Sequence, residues 1–189
     1  MRTTAAKLAL LTSCLIFAGA MQAFAQGYQQ ERESKEHQPA VAQVVALDEC
    51  DPATFNAVLG PDFCRNVTLG ASTTLADLFA KAAAGTPDPG WDFEPDTLKI
   101  EEGTSVRVVD QGGEPHTFTE VKHFGGGFIT DLNAGQPTVN ECVNGFKNLD
   151  VARTRILQGS DIVIPGLTKG RHRFQCCIHP WMRVTVDVK

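Results

Sequence analysis

The pattern of hydrophobic and polar positions divides the chain into four segments. In the first, residues 1–25, the basic residues Arg2 and Lys7 precede an apolar run over residues 8–20 and a small-x-small site over residues 23–25. This order is typical of a secretory signal peptide, which is removed from the mature protein. The later segments contain no apolar run of the length that a membrane span requires.

Two sites of processing compete within this first segment. Cleavage after Ala25 fits the apolar run, which lies before that residue. The sequence Leu11-Thr12-Ser13-Cys14 resembles a bacterial lipobox, in which Cys14 would carry a lipid anchor, but most of the apolar run follows Cys14. We favour cleavage after Ala25 and expect a periplasmic or secreted bacterial protein.

The next two segments are a linker and a helical extension. Residues 26–47 begin with a strongly polar stretch that buries too little apolar surface to fold, so we expect a flexible linker. Residues 48–89 show helical spacing instead. Asp51 or Asp48 can cap a first short helix, and Thr73 or Thr74 can cap a second. We therefore expect a short helical N-terminal extension before the main domain.

The fourth segment, residues 90–189, has a period of two. Apolar residues alternate with polar ones over 98–108, 162–164 and 184–188, and turn signals such as Glu102-Gly103 separate the short strands. An irregular stretch over 122–157 interrupts them. The pattern predicts an all-β sandwich of about 100 residues.

The net charge and the number of cysteines limit the classes of function and partner. Without residues 1–25 the 17 basic residues fall to 15 while 22 acidic ones remain, a net charge of −7, which argues against nucleic acid or an anionic membrane as partner. Five of the six cysteines remain, and an odd number in an exported protein indicates a thiol that is reactive, intermolecular or bound to a metal.

Three residues near the C-terminus have metal-ligand spacing. Cys176, His179 and Met182 form C-x2-H-x2-M in a loop between two predicted strands. Thiolate, imidazole and thioether together favour a soft, redox-active metal, and two histidines, one cysteine and a weak axial methionine make a blue-copper site. The second histidine must come from elsewhere, and the candidates are His116, His123 and His172, of which His116 starts a strand after a turn.

Two stretches of the sequence resemble one known family. FEPDTLKIEEGTSVRVVDQGGEPHTFT (residues 93–119) and GRHRFQCCIHPWMRVTVDV (residues 170–188) resemble the cupredoxins, the plastocyanin, pseudoazurin and amicyanin group of type 1 blue copper proteins. The resemblance implies a Greek-key β-sandwich with one mononuclear copper, bound by His116, Cys176 and His179 with Met182 axial. The sequence differs from the family pattern at position 117, where Thr117 replaces an Asn that is frequent in the family.

The resemblance also implies roles for the remaining cysteines. With Cys176 on copper, four cysteines are left, and they allow three pairings. We favour Cys50 with Cys64 and Cys142 with Cys177, the second of which would hold the long insert beside the copper loop. The side chain of Cys177 is then expected to point away from Cys176.

The implied function is single-electron transfer between larger redox proteins by a monomer that is not an enzyme. We expect the His179 ring to lie near the surface as the exit for the electron. Copper enzymes of this fold need further domains and histidine clusters. Copper delivery or storage, or a partner-binding module, is the alternative; the sequence names no redox partner.

Overall fold

The computed structural model describes residues 40–65 and 72–189. The signal peptide, Cys14 and residues 26–39 of the expected linker lie outside these residues. No helix within the two described ranges is long and apolar enough to cross a membrane. Residues 40–189 form one compact unit.

Within the described ranges, ten strands form the fold. They are β1 (Val41–Leu47), β2 (Asp92–Glu94), β3 (Thr97–Ile100), β4 (Ser105–Asp110), β5 (His116–Thr117), β6 (Thr119–Glu120), β7 (Arg155–Ile156), β8 (Asp161–Ile164), β9 (Gly170–Gln175) and β10 (Arg183–Val188). One four-stranded sheet has the order β2-β1-β4-β8, a second has the order β3-β10-β9-β6, and β5 pairs with β7. Both larger sheets are mixed, because β1 runs parallel to β4 and β10 runs parallel to β3.

The two larger sheets pack face to face. Alternate residues of β4 and β10 are buried, as the period of two predicts. Phe93 of the first sheet contacts the Phe118 ring at 5.2 Å between centroids, and Phe118 stacks on Phe174 of the second sheet at 4.5 Å. This mostly β sandwich agrees with the predicted fold class. The turn at Glu102-Gly103 leads from one sheet to the other, since β3 and β4 belong to different sheets.

The linker prediction is wrong for residues 41–47. They form β1, which lies between β2 and β4 in the first sheet. Val44 and Ala46 of this strand are fully buried. Polar residues before position 40 led the prediction to extend the linker too far, although the alternating residues that follow have strand character.

Three α-helices accompany the strands: α1 (Pro52–Leu59), α2 (Leu75–Ala83) and α3 (Leu149–Arg153). Asp51, not Asp48, caps α1 by accepting hydrogen bonds from the backbone of Ala53 and Thr54. Thr74 caps α2 by accepting from the backbone N–H of Asp77.

The helical segment is part of the main core. Phe55 of α1 and Leu78 and Ala82 of α2 are buried in the same hydrophobic cluster as the sandwich strands. The irregular insert contains α3 and three 3-10 helices: Thr130–Leu132, Asn140–Cys142 and Gly145–Lys147. Helices α1 and α2 therefore pack against the sandwich as part of its core, while Val151 of α3 lies in a separate small cluster.

Candidate metal centre

Two parts of the chain meet at one end of the sandwich. His116 begins β5, while Cys176, His179 and Met182 lie in the loop from β9 to β10. This loop is closed by hydrogen bonds from the Cys176 N–H to the Met182 carbonyl (3.1 Å) and from the Met182 N–H to the His179 carbonyl (3.0 Å). Because these hydrogen bonds close the loop tightly between two paired strands, they fix the directions of the Cys176, His179 and Met182 side chains.

The ligand atoms of His116, Cys176 and His179 lie within 4.8 Å of one another, and all three residues are buried. The Cys176 Sγ is 3.9 Å from Nδ1 of His116 and 4.0 Å from Nδ1 of His179. A metal bonds to imidazole nitrogen at about 2.0 Å and to thiolate sulfur at about 2.3 Å. Each separation is shorter than the sum of the two bonds, so an ion between the Cys176 sulfur and either imidazole nitrogen can bond to both atoms. Met182 is fully buried in the same loop.

Two backbone N–H groups point at the Cys176 sulfur. Thr117 donates at 3.5 Å and His179 at 3.4 Å. Burial raises the pKa of the Cys176 thiol, but the two imidazoles beside it outweigh burial and hold that pKa well below its ordinary value. The sulfur is thus prepared as a thiolate, the form that binds metal.

Each of the two histidines of this cluster has a buried carboxylate behind it. Nε2 of His116 lies 3.0 Å from Oδ2 of Asp48, and neither side chain is exposed. Nε2 of His179 lies 3.5 Å from Oε1 of Glu114. A carboxylate on the far nitrogen fixes the tautomer that leaves Nδ1 free for a metal and makes the ring a stronger ligand.

The Asp48 carboxylate is held in place by backbone donors. Glu114 N–H donates to its Oδ2 at 3.0 Å and Cys50 N–H to its Oδ1 at 3.2 Å. Burial raises the pKa of Asp48, but the hydrogen bond to His116 and the charge of that ring outweigh burial, and the pKa is lowered. Against the opposing effect of burial, the hydrogen bonds of Asp48 and Cys176 raise the pKa of His116 well above its usual value.

Two further acids are buried beside the centre. Burial raises the pKa of Glu114, whose carboxylate accepts a hydrogen bond from Trp91 Nε1. Burial also raises the pKa of Asp110, to about 8, and its Oδ2 has no hydrogen-bond partner among the described residues. Asp110, Asp48 and His116 form a second group of close ligand atoms, on the side of His116 that faces away from Cys176.

The expected surface position of His179 is wrong. The residue is only 1% exposed. Trp91 and Trp181 cover its ring at centroid distances of 6.0 and 5.5 Å, and Glu114 lies against its outer nitrogen. Trp91 and Glu114 come from outside the loop that holds His179, and Phe55 of α1 stacks on Trp91 from behind, so the spacing within the loop could not predict this cover.

The cysteines are placed as two disulfides and one thiol. Cys50 is bonded to Cys64 and Cys142 to Cys177, while Cys176 is the free cysteine of the described residues. Cys176 lies in the main core and Cys177 in a separate small cluster with Val151. The two neighbouring sulfurs therefore point to opposite sides of the strand.

The other two candidate histidines lie outside the centre. His123 is exposed on the loop after β6. His172 lies on β9 and contacts Glu120 through Nδ1 at 2.7 Å and the Thr168 carbonyl through Nε2 at 2.8 Å.

The sequence analysis missed Asp48, Asp110 and Glu114 as residues of the centre. A signal for two of them exists in the period of two. Buried Val44 and Ala46 of β1 precede Asp48, and buried Val106 and Val108 of β4 precede Asp110. An acid that continues an inward-facing row is a candidate for a buried charged site.

Comparisons with known proteins give structural neighbours only. No protein-family model matches the chain, and no curated protein matches it. Similar solved structures include a purple cupredoxin from Nitrosopumilus maritimus, with 15% identity over 78% of this chain and 99% of that one and a TM-score of 0.42. Two mutants of amicyanin, one in its Cu(I) form and one reduced, are 15% and 16% identical over 52% of this chain and 73% of theirs, each with a TM-score of 0.34.

Proposed function

We propose that this chain is an exported type 1 (blue) copper protein of Greek-key cupredoxin connectivity that carries single electrons between larger redox proteins. His116, Cys176 and His179 would bind one copper ion, with Met182 as the axial ligand. The observation that carries the proposal is the buried cluster of two imidazole nitrogens and one thiolate sulfur within 4.8 Å. A bound copper would supply a one-electron couple between Cu(I) and Cu(II).

The surrounding residues hold the ligands in one arrangement. Asp48 orients the His116 ring, Glu114 faces the His179 ring, and the backbone of Thr117 donates to the thiolate. A centre whose ligands are fixed by the protein changes little between oxidation states, and this keeps the reorganisation during electron transfer small. Hydrogen bonds to the sulfur and the burial of the site set its potential.

Burial of the ligands supports electron transfer over the alternatives. A catalytic metal keeps an open position for substrate, whereas the three ligand residues here are at most 1% exposed. The same cover would slow the release of copper to an acceptor, which disfavours copper delivery. We therefore propose a carrier that is not an enzyme.

Two features support export and an oxidising compartment. The disulfides of the described residues are typical of secreted or periplasmic proteins. Together with the signal-like residues 1–25, they favour a periplasmic or secreted protein that is cleaved after Ala25. Its redox partners would be positively charged to match the acidic mature chain.

The visible spectrum of the copper-loaded protein tests the proposal. We expect an intense blue or violet colour in the Cu(II) form, one copper per chain by metal analysis, and reversible reduction. Cys176→Ala should remove the colour, and Phe146→Leu, a change of an exposed ring, should keep it. A colourless Cu(II) protein, or colour that survives Cys176→Ala, would show that the proposed ligand set is wrong.

A further inference from the structure

The burial of His179 raises the question of how an electron reaches the centre. The outer nitrogen of this ring faces Glu114 at 3.5 Å, and the ring lies under two tryptophans. A protein partner therefore cannot touch the imidazole. Because electron transfer weakens steeply with distance, the residue that links His179 to solvent decides where a partner can dock.

The two tryptophans that cover His179 differ in exposure. Trp91 is 1% exposed and stacks at 6.2 Å on Phe55 of α1, which is itself fully buried. Trp181 is only partly buried, and its ring meets that of His179 at 5.5 Å with an interplanar angle of 63°. Among these contacts of His179, the Trp181 indole is the one that also reaches the surface.

The position of the Trp181 ring is fixed from the other side. Its Nε1 donates to the Asp88 carbonyl at 3.1 Å. The Asp88 carboxylate in turn accepts hydrogen bonds from Lys81 of α2 at 2.6 Å and from Thr73 at 2.8 Å. The helical segment thus holds the indole against His179.

Building on the proposed function, we propose that Trp181 is the electron-exit residue of this centre and lies at the middle of the surface on which a redox protein docks. In the transfer the reduced centre loses one electron and the oxidised partner gains it, with no bond formed or broken. The indole is not itself oxidised, and its role is to shorten the gap between the buried ring and the partner. This role would explain why His179 is covered, because the cover restricts electron transfer to one point on the surface.

The first experiment measures the rate of electron self-exchange between copper-loaded copies of the protein by NMR line broadening. Trp181→Leu should slow the exchange several-fold, while the blue or violet absorption of the Cu(II) form remains. Trp181→Phe keeps an aromatic ring on His179 and should retain most of the rate. Phe146→Leu is the control, because Phe146 is an exposed ring that contacts Phe128 and not His179.

A second experiment does not depend on copper. The chain contains two tryptophans, so acrylamide quenching of the metal-free protein should show one accessible and one protected indole. The accessible component should disappear in Trp181→Phe. If wild-type fluorescence is fully protected, Trp181 does not reach solvent and the proposal is overturned.

The outcomes separate this inference from the proposed function. A protein without a reversible copper couple would overturn both. A protein that cycles normally, but whose Trp181→Leu variant exchanges electrons as fast as wild type or faster, would overturn only the role of Trp181. Equal loss of rate in Trp181→Leu and Phe146→Leu would also overturn it, because the effect would then not be specific to the ring on His179.

Discussion

The Nε2 atom of His116 lies 3.0 Å from Oδ2 of Asp48, and both side chains are completely shielded from solvent. The contact joins residues 68 positions apart, the end of β1 and the start of β5. A negative charge this close to a metal ligand stabilises the more positive, oxidised state of the centre.

Replacing that charge should change copper binding. In Asp48→Asn we expect a higher reduction potential and a loss of copper affinity of about 10–100-fold, the usual cost of removing a partner of a ligand histidine. Potentiometry and competition with a copper chelator measure the two effects. Asp161→Asn, which removes an exposed carboxylate paired with Arg107, is the matched control and should change neither. A potential equal to that of wild type would exclude the charge effect.

The disulfide beside the proposed copper ligand Cys176 should contribute stability and not colour. The double variant Cys142→Ser/Cys177→Ser opens a loop of 35 residues and should lower the free energy of unfolding by about 2–4 kcal/mol. Its blue absorption should remain, because Cys176 is unchanged. Cys176→Ser should show the reverse, with the absorption lost. Denaturant unfolding and visible spectroscopy check both variants, and exchanged phenotypes would mean that Cys177 is the ligand.

Thr117 connects the two ligand loops through its hydroxyl group. Oγ1 accepts a hydrogen bond from the Cys177 N–H at 2.8 Å, and both residues are buried. Thr117→Val leaves that N–H unpaired and should cost about 1–3 kcal/mol in unfolding free energy. Thr117→Ser keeps the hydroxyl and should lose much less. A similar loss in both variants would assign the effect to packing of the methyl group.

His172 should make stability depend on pH. Burial lowers the pKa of His172, but its hydrogen bond to Glu120 outweighs burial and raises this pKa above the ordinary 6.5. The contribution of the His172–Glu120 pair to the free energy of unfolding is then fully present below about pH 6.5. It is lost as the pH rises through the higher pKa that His172 has in the folded state. Glu120→Gln should flatten the dependence of unfolding free energy on pH over this range. An unchanged slope in that variant would rule out the pair as its source.

Much of this fold could be predicted from short-range patterns. The period of two over residues 98–108 and 184–188 marks strands β3, β4 and β10. Capping residues and helical spacing mark helices α1 and α2. The motif C-x2-H-x2-M lies in one loop, so its spacing alone indicates that Cys176, His179 and Met182 converge. These features depend on neighbours in sequence, where local geometry is restrictive.

The parts that sequence reasoning missed depend on distant contacts. The period of two can mark Asp48 as a buried acid but cannot identify its partner, because the pairing of β1 with β4 brings His116 to it. The surface position expected for His179 failed for a similar reason, since Trp91, which covers its ring, and Phe55 of α1, which stacks on Trp91, precede it by many residues. Local periodicity does not indicate which distant strands pair or where a helical segment packs.

The placement of Asp48 at the end of the first strand has a consequence for biogenesis. The centre draws on Asp48, on His116 and, 60 residues after His116, on Cys176. Contacts of such sequence separation form late in folding. A chain that crosses a membrane unfolded would therefore carry no assembled centre, and copper would be acquired only at the destination. A protein that binds copper would then be one in which residues from both ends of the domain have come into contact and Cys176 has not been oxidised.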